Sequence, residues 1–179
     1  MSLSKNIFAI IGSASKNSAN EKLIDILSER IGAEFVIKKS TDLKALPHFD
    51  PQLSINNPPQ IIMEFRKGIE KADAVIICTP EYVFSIPSGL KNAIEWCVAT
   101  TVFSDKAAGL ITAAANGEKA HEELKLIMKT IMAKFTEETT LLIQGIKGKI
   151  NESGEIKDGK TEEDLVKFID GFKRLLNNE

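Results

Sequence analysis

The chain has 179 residues, 43% of them hydrophobic and 27% charged, with a formal net charge of −2. That length supports one well-formed core and is short for two domains, and the balance of residues excludes wholesale disorder. No basic excess points to nucleic acid or to an anionic membrane, and no apolar run approaches the roughly 20 residues that span a bilayer.

MSLSKN leads into a strand pattern without an apolar leader core, which predicts a cytoplasmic protein. Asn6 to Ile11 (NIFAII) is an apolar run too short for a helix and closed by Gly12, as expected of a strand buried on both faces. Leu23, Ile24, Leu27 and Ile31 recur at helical spacing until Gly32. Glu34 to Lys38 (EFVIK), with charged flanks, predicts a second strand near a sheet edge. Four prolines from Pro47 to Pro59 predict a loop, after which Ile62, Phe65 and Ile69 mark a helix ending near Ala72. Ala74 to Thr79 (AVIICT) is the most hydrophobic strand and belongs in the sheet centre. Leu90, Ala93, Ile94 and Cys97 give another helical stripe, and Ala107 to Ala113 (AAGLITA) a fourth strand. Leu124, Ile127, Met128, Ile131, Met132 and Phe135 share one face of the clearest helix, whose EKAHEELK start reads as a solvated charged face. Thr139 to Ile143 (TTLLI) is a fifth strand, NESGEIKDG carries hairpin-like turn chemistry, and Leu165, Phe168, Ile169, Phe172 and Leu176 form the last helix.

Five strands alternating with five helices, with no repeat and no linker, predict one α/β domain over residues 1–179. The sheet is then doubly wound and parallel, in three layers, and ligands bind beyond the carboxyl ends of its strands where the strand order reverses. In the order 2-1-3-4-5 that point lies between strands 1 and 3. The loops after strands 1, 3 and 4 are the ones that matter.

The first of these, Gly12 to Asn20, holds Ser13, Ser15, Ser18 and Asn20. An ordinary helix cap needs one such residue. Four of them, placed at a helix N-terminus where N–H groups and the helix dipole attract anions, suit a monophosphate held by neutral donors. No G-K-[ST] follows, and no G-x-G-x-x-G is present. In the third-strand loop, Pro80 and Pro87 bracket EYVFSI and hold Thr79 and Ile86 out of helical backbone. A stiff loop of that kind can aim N–H and C=O groups at the edge of a flat heteroaromatic, with Tyr82 and Phe84 adding apolar area. Trp96 closes the following helix, against the core or against a second subunit.

These two loops resemble those of the NADPH-dependent FMN reductases of the flavodoxin-like superfamily, which include quinone, azo and chromate reductases. Against the family pattern G-S-x-R-x-x-S-x-N, the chain has Gly12, Ser13, Ser18 and Asn20 in register. Against T-P-E-Y-N-x-S-x-P-x-x-L-K-N-A-x-D-W it matches at Thr79, Pro80, Glu81, Tyr82, Ser85, Pro87, Leu90, Lys91, Asn92, Ala93 and Trp96. Ser15 stands where the family has Arg, Val83 where it has Asn, and AAANGEKAHEEL where it has a serine- and glycine-rich run with a Gly-Gly pair and an Arg.

The resemblance implies that Ser13, Ser18 and Asn20, with Ser15 beside them, hold the FMN phosphate. It implies that the backbone of Pro80, Glu81, Tyr82 and Val83 lines the isoalloxazine ring, with Ser85 in the same motif and Ala115 and Asn116 in the fourth-strand loop. It further implies a flavodoxin-like fold, NADPH or NADH as electron donor, a quinone, flavin or similar small acceptor, and a homodimer or homotetramer. The flavin would carry the chemistry, so no acid–base side chain is assigned. A flavin-binding electron carrier that does not oxidise NAD(P)H is the second expectation, and a phosphate-ligand module without flavin the third. Cys78 and Cys97 read as buried thiols, and His48 and His121 as solvated or capping residues rather than metal ligands.

Overall fold

A computed structural model describes residues 4–151 and 153–177. The start of the chain at residues 1–3, Glu152 of the NESGEIKDG turn and the last two residues lie outside them. Strands β1 (Lys5–Ile11), β2 (Phe35–Lys39), β3 (Ala74–Thr79), β4 (Ala107–Ala114) and β5 (Thr140–Gln144) form one all-parallel sheet in the order β2-β1-β3-β4-β5. All six residues of β3 are buried, as a central strand covered on both faces requires, whereas β2 at the edge keeps only Phe35 fully inside.

The helices divide between the two faces. Helices α1 (Ala19–Arg30) and α6 (Gly159–Asn177) cover one side, where Leu23, Leu27, Leu165, Phe168 and Phe172 meet Ile7, Ile76 and Ile111. Helices α3 (Gln60–Lys71), α4 (Ser88–Glu95) and α5 (Glu118–Thr130) cover the other, where Ile62, Phe65, Leu90, Leu124 and Met128 meet Ile10, Ile77 and Leu110. Trp96, at the end of α4, belongs to this second core. It is wholly buried, donates its Nε1–H to the Pro47 carbonyl at 2.8 Å, and meets Phe49 edge-on at 5.5 Å.

Two elements differ from the sequence reading. The proline-rich segment contains a short helix, α2 (Pro51–Asn56), because Asp50 caps it through the N–H groups of Gln52 and Leu53 while Pro51 takes the first position. Proline breaks a helix interior, not a helix start. The apolar stripe running to Phe135 outlasts its helix, since α5 stops at Thr130 and Met132 takes a positive φ of 62°. The chain then runs alongside β4, with the Ala108 N–H on the Lys134 carbonyl at 2.8 Å, so Ile131 and Phe135 reach the core without being helical.

Candidate functional site

The chain leaves β1 toward β2 on one side and leaves β3 toward β4 on the other, which opens a crevice between their carboxyl ends. The loops after β1 and β3 are pressed together at their bases. The Gly12 N–H reaches the Cys78 carbonyl at 2.8 Å, and a Cβ on Gly12 would come within 2.4 Å of Thr79 Oγ1. Only glycine fits there. Above this contact is a cleft of about 420 Å³, lined by Gly12, Ser13, Ala14, Tyr82, Pro87 and Ser88 and walled on the far side by His48. That volume lies within the range of small-molecule sites.

In the first loop, Ser18 caps α1 by accepting the Glu21 N–H at 3.1 Å, and Ser13 Oγ accepts the Ser15 N–H at 3.3 Å. The opening N–H groups of α1, those of Ala19 and Asn20, have no acceptor within the helix and point out of its N-terminus. Lys16, Lys39, Ser40 and Thr41 border a second hollow of about 180 Å³ against Ser15, with the Glu21 carboxylate on the Asn17 N–H. The Asn20 side chain does not join this face. It is buried, donates Nδ2–H to the Ala113 carbonyl at 3.2 Å, and accepts the Cys78 thiol at 3.3 Å. The amide expected to bind phosphate is instead an anchor between α1, β3 and β4.

The third-strand loop forms a tight hairpin. Tyr82 and Ser85 exchange both backbone hydrogen bonds, at 2.9 and 3.1 Å, and the two residues between them, Val83 and Phe84, have φ of 52° and 59°. This is a type I′ turn, which normally carries Asn and Gly. The Val83 side chain is 95% exposed, so only its backbone belongs to the loop's structure. Glu81 turns back to the start of α5, its two oxygens accepting the Gly117 and Ala120 N–H groups at 3.1 and 3.0 Å. The Ser85 hydroxyl donates to Glu123 at 2.6 Å, so it is committed within the protein.

Ala115 and Asn116 lie exposed beyond β4, where the Ala115 carbonyl accepts the Gly145 N–H and Asn116 Oδ1 accepts from Gln144. They are not among the residues lining the cleft. Of the expected residues, Ser13 and Tyr82 line the cleft and Ser15 borders the adjoining hollow, whereas Ser18 caps α1 and Pro80, Glu81, Val83 and Ser85 are not among the lining residues. Two residues do more than their sequence reading assigns. His48, read as solvated or capping, is exposed and also lines the cleft. Glu123 lay within a run read as solvated, although a carboxylate three residues after Ala120 borders the buried stripe of α5.

Burial and the nearby Lys125 ammonium lower the pKa of His121, whose Nδ1 is 3.0 Å from Thr112 Oγ1; Glu137 and Glu122 oppose the shift. Burial pushes the Cys97 thiol up to about 12 and Cys78 higher still. Neither sulfur is a nucleophile at neutral pH.

Comparison with known proteins bears on this geometry. A family model described as NADPH-dependent FMN reductase matches residues 5–146. An NAD(P)H:quinone oxidoreductase of Solanum tuberosum is 35% identical over 114 residues, covering 60% of this chain and 57% of that protein. A quinone reductase of Pseudomonas putida is 27% identical over 178 residues, covering 96% of this chain and 95% of that enzyme. Among solved structures, the flavoenzyme NAD(P)H:(acceptor) oxidoreductase FerB of Paracoccus denitrificans superposes with a TM-score of 0.81 at 25% identity, over 97% of this chain and 98% of that one.

Proposed function

Since the chain belongs to the NADPH-dependent FMN reductase family, an NAD(P)H-dependent flavin oxidoreductase of flavodoxin-like fold, we propose that residues 1–179 act as one FMN-binding domain that passes electrons to a quinone or similar small acceptor. One observation carries this reading. The hydroxyl-bearing loop at the α1 N-terminus and the stiff β3 loop face one another across a cleft of about 420 Å³ at the point where the strand order reverses.

The residues present fit flavin mononucleotide. A phosphate monoester needs converging donors without a metal. The Ser13, Ser15 and Ser18 side chains and the Ala19 and Asn20 N–H groups supply them, favoured by the positive end of α1. The family Arg at the place of Ser15 is missing; Lys16 borders the adjoining hollow beside Ser15, and Lys39 on the same hollow is paired with Asp25 and Glu21. The Pro80–Ser85 backbone would border the ring, and Tyr82 the slot where nicotinamide or acceptor stacks. Bound FMN supplies the hydride-accepting and electron-donating chemistry. The protein's own part is to bind and orient the ring in a cleft whose lining includes Asp42, Lys44, His48 and Tyr82.

The protein would draw its pyridine nucleotides in the cytoplasm, as a homodimer or homotetramer. The exposed apolar tip of Val83 and Phe84 favours such an assembly. No helix among the described residues is long and apolar enough to cross a membrane.

Steady-state oxidation of NADH and NADPH with a quinone acceptor tests the reading on FMN-loaded protein. Turnover with at least one donor is expected. Flavin that stays oxidised under excess of both would point to an electron carrier instead. Protein that stays colourless after mixing with FMN would sink the flavin assignment.

A further inference from the structure

The hairpin after β3 is held under strain. Val83 and Phe84 both have positive φ, at 52° and 59°, in a region that L-residues avoid and that a β-branched side chain disfavours most. Their own packing does not offset this, since the two side chains are 95% and 72% exposed. Strain of that kind persists only where the surroundings over-determine the backbone. The holding groups must therefore lie on the flanks of the turn.

One flank is the reciprocal Tyr82–Ser85 pairing. The other comes from α5, distant in sequence. Glu123 Oε2 accepts the Ser85 hydroxyl at 2.6 Å and the Ile86 N–H at 2.9 Å. Ile86 is only 4% exposed and the bond is part-buried, so without Glu123 its N–H would lose its protein acceptor. Glu81 grips in the reverse direction, from the loop onto Gly117 and Ala120 at the start of the same helix. Helix α5 thus clasps the loop at both ends, through one carboxylate of its own and one received.

We infer that Glu123 is a positioning residue, holding the strained Tyr82–Ser85 turn in the conformation that borders the flavin. The second half of that statement rests on the FMN reading above. The first does not.

The test uses the full-length protein and its Glu123→Ala and Glu123→Gln variants, with two readouts. Amide hydrogen exchange of the flavin-free protein follows Tyr82 to Ile86, and quenching of flavin fluorescence gives FMN affinity. In Glu123→Ala, exchange at Ser85 and Ile86 should speed up by about tenfold or more and FMN should bind about tenfold more weakly, as losing a part-buried acceptor implies. Amides of β3 should be unaffected. Glu123→Gln, whose amide oxygen keeps both acceptor roles, should restore both readouts, a rescue that general loss of helix stability would not give. If alanine unfolds the protein, Glu123→Asp, one methylene short, should give intermediate values. Wild-type exchange rates at Ser85 and Ile86 in Glu123→Ala, or in Glu123→Asp where that variant is used, overturn the inference. Unchanged FMN affinity beside faster exchange overturns its second half. Wild-type protein that binds no FMN sinks the functional reading alone, and the exchange comparison still decides whether Glu123 holds the turn.

Discussion

Asn20 shows what a motif position can and cannot disclose. Its place in the first loop, two residues after Ser18, marks it as polar and close to the site. The three-dimensional fact that its amide turns down between β3 and β4 depends on how α1 docks, which spacing along the chain does not encode. Ser18, named for the phosphate, also caps α1: its hydroxyl accepts the Glu21 N–H, a local arrangement that Ser followed three residues later by Glu favours. Asn20→Ala should therefore act on stability first. It removes the donor to Ala113 and the acceptor of the Cys78 thiol, both buried, and should cost about 1–3 kcal/mol in urea unfolding of the flavin-free protein. A variant as stable as its parent would show that the amide is dispensable to the fold. Val83 was illegible for another reason. A valine promises a strand, and nothing in its neighbours announces that the backbone there must turn left-handed.

At the scale of elements, the strands were readable in both number and burial because parallel strands covered on both faces need unbroken apolar runs. The helices were less so at their ends. Apolar side chains at Ile131 and Phe135 continue a helical period after the helix has stopped, since the segment after it packs against the same core. Helix α5 is also where a pH effect belongs. His121 is disfavoured as a cation in the fold, through burial first and Lys125 second. Its folded pKa is thus below the ordinary 6.5, and between those two values the unfolded chain binds more protons than the native one. Stability then rises with pH across that window. It is fully present above 6.5 and is lost as the pH falls toward the depressed value. Urea midpoints of the wild type and His121→Gln, compared from pH 7.5 down to about pH 5, should converge or cross on the acid side, with the wild type losing more. Parallel curves would mean that the imidazole is not disfavoured as a cation.

For the molecule as a whole, strand alternation implied a parallel sheet, and the crevice followed once the order 2-1-3-4-5 was taken, the order that the sheet has. The fourth-strand loop was not legible in the same way. Ala115 and Asn116 were named by analogy of position, yet the loop is tied outward to Gln144 and Gly145, away from the cleft. A ligand that bridges the β1 and β3 loops binds only the folded state, so it must raise global stability by mass action. FMN at a hundredfold excess over its dissociation constant should add about 2.7 kcal/mol, read as a shift in the thermal midpoint, while riboflavin, which lacks the phosphate, should shift it much less. Equal shifts from the two would place the phosphate outside the first loop.

The thiol beneath the crevice has a further consequence. A reduced flavin that meets oxygen releases peroxide, and a cysteine is attacked by peroxide as its thiolate. Cys78 lies beneath the loops that meet at Gly12, its S–H donates to Asn20 Oδ1 and its sulfur is shut off from water. The same burial that packs β3 keeps that sulfur from forming a sulfenic acid.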